Sequence, residues 1–368
     1  MTTNPAPEVW TEEVRGGYPD SSLLALSGRE RLTWWTRGGA PAPPLSRLTG
    51  AIYTRVGDGT ASAEMPASGW LLNSAGVVGG GTLGILADVA LGCSIETQLP
   101  PATPYTTAEL SLSFLRPARP GGMLVAGGQV IHMGPSVALS EAFLIEEGTE
   151  RLIAHGTSRC AILPPIDPAP DPPGELPAVG PDPDEASDPY RRRWPRDAVI
   201  PQETWDRHSG REVLELQLSG KLPPPPIHDL TGMRPIEIGE GTAVVVLPAT
   251  QWLTSPLRTI QGGVITMLAD MAMAVAVQTT VPAGTAVAGL DLKVNYLRPA
   301  FPDGGDLRAR GAVMHAGRRL VVTRARIDNP DGKCVALATG SSMYLPNRPA
   351  ALGELELSAE ADDSNQTR

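Results

Sequence analysis

Two stretches of the chain place a glycine pair directly before an apolar segment that carries one aspartate. Gly80 stands eight residues before Asp88, and Gly262 stands eight residues before Asp270. A helix that begins at such a pair leaves backbone N–H groups unpaired and has a partial positive charge there. Because glycine has no side chain, a substrate oxygen can approach those N–H groups closely. The pattern indicates an anion or oxyanion site combined with a carboxylate.

One helix cannot supply both groups to one carbonyl. Eight residues correspond to about 12 Å along a helix axis. Two antiparallel helices can do so, and the predicted composite sites are the Asp270 site, which joins Gly80 to Asp270, and the Asp88 site, which joins Gly262 to Asp88. The structural alternative is an aspartate that only bonds nearby backbone, and a duplicated structural aspartate would give the same pattern.

The two stretches belong to a long internal repeat with an offset of 182 residues, which separates Asp88 from Asp270. Such a constant offset over more than a hundred residues indicates a duplicated domain rather than a short-period solenoid. The same offset pairs SGRE at 27–30 with SGRE at 209–212, LTG at 48–50 with LTG at 230–232, and LRPA at 115–118 with LRPA at 297–300.

The repeat predicts two domains joined by a linker. Residues 1–163 form the first domain and residues 190–349 the second. Between them, residues 164–189 are rich in proline and acidic residues and read as an extended linker. Residues 350–368 are acidic and are expected to form a flexible tail.

Each copy shows the same order of predicted elements. In the first copy, residues 48–67 contain two β-prone runs, residues 80–99 are apolar on nearly every side and long enough for a helix, and about four β-prone segments follow. A helix that is apolar all round must be covered all round. The expected fold class is therefore α+β, with an antiparallel sheet that curls around one long helix in each domain.

Composition limits the function classes. The chain has 368 residues and a formal net charge of −10, which argues against binding to nucleic acid or to an anionic membrane. No apolar run reaches 18 residues and no signal peptide is visible, so a cytoplasmic protein is expected. Three widely spaced cysteines and five scattered histidines give no metal framework, and no cofactor is expected.

The stretch NSAGVVGGGTLGILADVA at residues 73–90 resembles the signature of PaaI-type acyl-CoA thioesterases of the hotdog fold, Asn-x-x-Gly-x-x-His-Gly-Gly-x4-Leu-x-Asp-x-Ala. LSFLRPA and VNYLRPA resemble the strand motif that follows in that family. The resemblance covers both copies. It implies two tandem hotdog domains, each a long central helix wrapped by a curved antiparallel sheet, paired about a pseudo-twofold axis.

The resemblance also implies roles for individual residues. The backbone N–H of Gly80 or Gly262 would bind the thioester oxygen. Asp88 or Asp270, contributed by the partner domain, would act as general base or nucleophile. Asn73 would help to hold the water or the nucleophile, and the hydroxyl of Thr107, at the start of the next strand, would assist.

The chain departs from the family pattern mainly in the second copy. The family histidine is replaced by Gly79 in the first copy and by Gln261 in the second, whose amide can still orient a carbonyl or water. Second-copy replacements of Asn73, Gly76 and Thr107 are Ser255, Arg258 and Gly289. The Asp270 site, with Asn73, Thr107 and Gly80, therefore keeps more of the pattern and is favoured over the Asp88 site with Gln261 and Gly262.

The expected function is hydrolysis of acyl-CoA or acyl-carrier thioesters. A thiolate is a good leaving group, so one carboxylate and one amide donor are sufficient machinery. One alternative is a non-catalytic protein that binds acyl thioesters, because both family histidines are absent. A hotdog enoyl hydratase or dehydratase is the other, although such enzymes use a histidine with an acid. A homo-oligomer, as a dimer of this chain, is also expected.

Overall fold

The structure is a computed structural model that describes residues 8–149, 151–167, 169–174, 185–192 and 199–352. These residues form seven α-helices: α1 (Gly28–Thr36), α2 (Pro44–Thr49), α3 (Gly80–Glu96), α4 (Gln202–Arg207), α5 (Gly210–Leu218), α6 (Pro226–Thr231) and α7 (Gly262–Gln278). None of the helices in these ranges is long and apolar enough to cross a membrane.

The strands form one antiparallel sheet. They are β1 (Ile52–Val56), β2 (Thr60–Pro66), β3 (Tyr105–Phe114), β4 (Met123–Met133), β5 (Val137–Glu146), β6 (Arg151–Ile162), β7 (Arg234–Gly239), β8 (Thr242–Pro248), β9 (Thr285–Tyr296), β10 (Asp306–Ala316), β11 (Leu320–Asp328) and β12 (Cys334–Pro346). Their order in the sheet is β1-β2-β4-β5-β6-β3-β9-β12-β11-β10-β8-β7.

Each copy has a hairpin, one long helix and four further strands, as the repeat predicts. Helix α3 lies in the curve of the first six strands, and α7 lies in that of the last six. Thirteen of the 17 residues of α3 are buried, which explains its nearly uniform apolar sequence. Together with the sheet order, this arrangement confirms two tandem hotdog domains of the α+β class.

The two domains contact each other both in the sheet and through their long helices. In the sheet, β3 pairs with β9 from Glu109–Asn295 to Ser113–Asp291, so the sheet continues from one domain into the other. Beneath it, α3 and α7 pack directly against each other. A Cβ added to Gly81 would meet Asp270, and one added to Gly262 would meet Asp88, so the helices run antiparallel. The glycines therefore set how closely the helices approach.

The two SGRE sequences begin helices that the sequence analysis did not assign. Ser27 and Ser209 each cap such a helix, α1 or α5, in a capping box with the glutamate three residues later. Gly28 and Gly210 lie against the C-terminal ends of α3 and α7, where a Cβ would collide with the backbone. The repeat in these residues thus preserves a packing contact on the long helices.

The predicted linker lies partly outside the described residues, which omit residue 168 and residues 175–184. The last described part of the linker is held by ion pairs to residues of the first domain. Asp188 is 2% exposed and forms ion pairs with Arg15 at 3.4 Å and Arg47 at 3.2 Å. The boundaries of the linker and of the two domains stay predictions, and most of the predicted tail, residues 353–368, lies outside the described residues.

Candidate active site

The structure brings each aspartate to the N-terminus of the opposite long helix. Gly81 N–H donates to Asp270 Oδ2 at 2.7 Å, and Gly263 N–H donates to Asp88 Oδ2 at 3.1 Å. These donors are the second glycines of each pair. Gly80 and Gly262 are the first helical residues, so their N–H groups have no intrahelical partner. Each aspartate thus lies beside the glycine pair of the other long helix, as predicted. The N–H of the second glycine, Gly81 or Gly263, is an additional donor that the sequence analysis did not name.

Asp88 has the more polar surroundings. Thr107 Oγ1 donates to Asp88 Oδ1 at 3.1 Å, while Gly263 holds the other carboxylate oxygen. Burial raises the pKa of Asp88 to about 6, against the lowering effect of hydrogen bonds from Gly263, Thr107 and Gly262. With a pKa of about 6, the half-buried carboxylate is mostly ionised at neutral pH and is more basic than an ordinary aspartate.

The prediction that Thr107 serves the Asp270 site is wrong. Its hydroxyl contacts Asp88 of its own domain. The physical reason is that β3 packs along the helix of the same domain, so its inward side chains meet that helix. The residue equivalent to Thr107 in the second copy is Gly289, which offers no hydroxyl.

Gln261 lies at the start of α7, beside the Asp88 site. It is 8% exposed, and its Nε2 donates to the carbonyl oxygen of Ile85 at 3.3 Å. Its Oε1 is buried and has no hydrogen-bond partner among the described residues. A buried acceptor left unpaired costs about 1–3 kcal/mol, so a water or substrate donor at this oxygen would be stabilised.

Tyr296 also belongs to the Asp88 site, and the sequence analysis did not single it out. Its hydroxyl donates to the carbonyl oxygen of Gly262 at 2.9 Å and lies 2.6 Å from Thr266 Oγ1. Burial, with a further contribution from Asp88, raises the pKa of Tyr296 well above its ordinary value. The available signal was the aromatic residue that precedes LRPA in both copies, Phe114 and Tyr296.

The Asp270 site is more apolar. Burial raises the pKa of Asp270 to about 6, and only the hydrogen bond from Gly81 opposes it. The Phe114 ring lies over the first glycine, because a Cβ on Gly80 would be 3.0 Å from Phe114 Cζ. The same ring lies 3.5 Å from a Cβ placed on Gly289. Phe114 therefore lies between Gly80 and Gly289.

Asn73 forms a turn before α3. Its Oδ1 accepts the N–H of Ala75 at 2.9 Å and that of Val77 at 3.3 Å. In the second copy Ser255 Oγ accepts the N–H of Leu257 at 3.2 Å. These bonds orient the loops that lead into the two glycine pairs, and the role of Asn73 in holding a water stays a prediction.

Comparison with known proteins identifies the repeated unit. The family model "Thioesterase superfamily" matches residues 75–152 and again residues 258–336. The chain is 33% identical over 111 residues to "Acyl-coenzyme A thioesterase PaaI" of Escherichia coli (strain K12), which is 30% of this chain and 76% of that protein. Both matched regions include the glycine pair and the aspartate of one copy.

Solved structures of thioesterases and of a tesB protein match most of this chain. The tesB protein of Mycobacterium avium subspecies paratuberculosis superposes with a TM-score of 0.51 at 12% identity, covering 82% of this chain and 98% of that one. Acyl-CoA thioesterase II TesB2 of Mycobacterium marinum gives a TM-score of 0.48 at 13% identity, covering 82% and 97%. The first of these supports the fold alone. With two matches to the family model and a PaaI relative, this chain belongs to the thioesterase superfamily and carries two copies of its domain.

Proposed function

We propose that the chain hydrolyses acyl-CoA thioesters and that the Asp88 site is the principal site. The observation that carries this proposal is the placement of a half-buried Asp88 between Thr107 and the N-terminus of α7. The relative from Escherichia coli is named as an acyl-coenzyme A thioesterase, which supports the same substrate class. The Asp270 site is second, because it lacks a hydroxyl equivalent to Thr107 and Phe114 fills part of it.

The substrate carbonyl oxygen would take the place of Asp88 as the acceptor of the Gly262 N–H, and negative charge develops on that oxygen as the carbonyl carbon is attacked. One preorganised donor of this kind contributes about 3–4 kcal/mol to a transition state. Tyr296 holds the carbonyl oxygen of Gly262, and the same peptide plane carries the N–H of Gly263. Tyr296 therefore orients the amide that holds Asp88 before substrate arrives.

Asp88 would supply the basic or nucleophilic group. As a base it takes a proton from water, and the hydroxide attacks the thioester carbon. As a nucleophile its carboxylate attacks that carbon and the resulting anhydride is hydrolysed. In both routes the C–S bond breaks and the electron pair leaves with sulfur, which needs no strong acid. Thr107 positions the carboxylate in either case.

Gln261 would complete the polar surroundings of this site. Its unpaired Oε1 can accept a hydrogen bond from water or from a substrate amide. The acyl carrier can be coenzyme A or a carrier protein, since both present a thioester. Association of this chain into a homo-oligomer remains a prediction.

A thiol-release assay over short, long and aromatic acyl-CoAs tests the proposal. We expect turnover by the wild type, a loss of at least about 100-fold in Asp88→Asn and a smaller loss in the matched variant Asp270→Asn. The reverse order would refute the choice of site. Binding of acyl-CoA without thiol release would favour an acyl-thioester binding protein, and consumption of enoyl-CoA without thiol release would favour a hydratase.

A further inference from the structure

One face of α3 leads away from the reaction centre. Asp88, Gly92 and Glu96 are spaced four residues apart and so lie in a row on that face. Strand β3 runs beside the row. Thr107 contacts Asp88, and Tyr105, two residues earlier on the same side of the strand, lies over Gly92. A Cβ on Gly92 would be 3.0 Å from Tyr105 Oη.

Polar groups form the end of this row. Tyr105 Oη donates to Glu96 Oε2 at 3.4 Å, and Arg31 Nε donates to Glu96 Oε1 at 3.0 Å. The side chains of Arg31 and Glu96 are 8% and 18% exposed, so the ion pair is largely shielded from water. Tyr105 is therefore tied to a fixed group and is not free to swing away from Gly92.

The second domain provides an internal comparison. The equivalents of Tyr105 and Gly92 are Val287 and Ala274, and Ala274 is exposed although it lies in the middle of α7. The equivalents of Glu96 and Arg31 are uncharged, namely Gln278 and Val213. The position that Tyr105 covers on α3 is thus exposed on α7, where Val287 stands in place of the tyrosine.

The substrate has two unequal parts, the carrier and the acyl group, and their difference in size and charge sets how it lies in the site. With the thioester carbon between Asp88 and Gly262, the carrier is large and charged and must extend to solvent. The acyl group then extends the other way, along the row of α3 that passes under β3. Tyr105 occupies the space beside Gly92, so the acyl group would meet its ring at that residue.

We propose that Tyr105 closes the acyl pocket of the Asp88 site one helical turn beyond the reacting carbon. The four residues from Asp88 to Gly92 rise about 6 Å along the helix, which admits acyl groups of about five carbons or fewer. The Asp88 site therefore selects short acyl groups. This inference rests on the proposed function for the location of the reacting carbon, and it adds the substrate class.

Binding of non-hydrolysable alkyl-CoA thioethers of two to twelve carbons, measured by calorimetry, tests the inference separately from turnover. For the wild type we expect affinity to rise up to about five carbons and then to fall. In Tyr105→Val, which copies Val287, affinity should keep rising by about fourfold per added methylene over the newly opened space. The matched control Tyr105→Phe keeps the ring and should follow the wild type.

The outcomes separate the two proposals. A folded Tyr105→Val variant with the wild-type length profile overturns the pocket inference, as does a Tyr105→Phe variant that behaves like Tyr105→Val. Folding of each variant is checked by its melting transition. A wild type that binds short thioethers with the expected limit but releases no thiol overturns only the proposed function. A wild type that binds none of the thioethers overturns the inference as well.

Discussion

The carboxylate of Asp88 should lower the stability of the folded chain above pH 6. Burial raises its pKa to about 6 from an ordinary 3.8. Between these values the folded chain holds a proton that the unfolded chain has released, so stability falls as pH rises through this window. Above pH 6 the cost is complete, and below pH 4 it is absent. The substitution Asp88→Asn removes the titration while keeping the shape.

The magnitude follows from the same two values. The gap between a pKa of about 6 and 3.8 corresponds to about 3 kcal/mol in free energy of unfolding. Solvent reaches the half-buried carboxylate and weakens the effect, so we expect about 1–3 kcal/mol. Asp88→Asn should therefore be more stable than the wild type by that amount at pH 8, with a much smaller difference at pH 4.

Urea unfolding of both proteins at pH 8 and pH 4 measures this difference. Comparing the same pair at both pH values cancels any effect of the amide that does not depend on protonation. The exposed Asp306, at the start of β10, provides the control variant Asp306→Asn, which makes the same chemical change at the surface. Equal stability differences for Asp88→Asn at the two pH values would refute the reasoning.

Two further predictions concern the surroundings of Asp88. The kcat/KM of the wild type should rise with pH around 6. Thr107→Val should move this rise to higher pH, because the hydroxyl of Thr107 lowers the pKa of Asp88. A pH profile of thiol release measures both effects, and an unchanged midpoint in Thr107→Val would contradict the role of Thr107. Gly263→Ala should lose at least about 2 kcal/mol of stability, because its Cβ would collide with the backbone of Gly84 and Ile85. Gly79→Ala is the control, since its nearest contact is the Thr82 hydroxyl at 3.3 Å, and similar melting temperatures for the two variants would contradict the packing argument.

The sequence was sufficient for the parts of the fold that repeat. The offset of 182 residues identifies two domains, and the apolar run at residues 80–99 identifies the long helix, which the structure ends at Glu96. The cross-helix pairing followed from helix geometry, because a carboxylate two turns from the N-terminus cannot serve its own amide. These inferences needed only distances within one element and the existence of a second copy.

The allocation of Thr107 needed tertiary information. A repeat offset shows which residues are equivalent, but it does not show which helix a strand covers. Phe114 and Tyr296 were missed for a related reason, since an aromatic residue before LRPA reads as core until the adjoining glycines are placed beside it. The pairing of β3 with β9 likewise joins surfaces far apart in the chain and leaves no local pattern.

The continuous sheet has a consequence for how the two sites can change. In a pair of identical subunits every substitution alters both sites equally. Here each domain contributes its glycines to one site and its aspartate to the other. Thr107 and Gln261 therefore add polar groups to the Asp88 site without changing the Asp270 site. An isolated first domain would expose the edge of β3 and could pair with a second copy of itself. Its symmetric sites would then join Gly80 to Asp88, a combination that the intact chain never assembles.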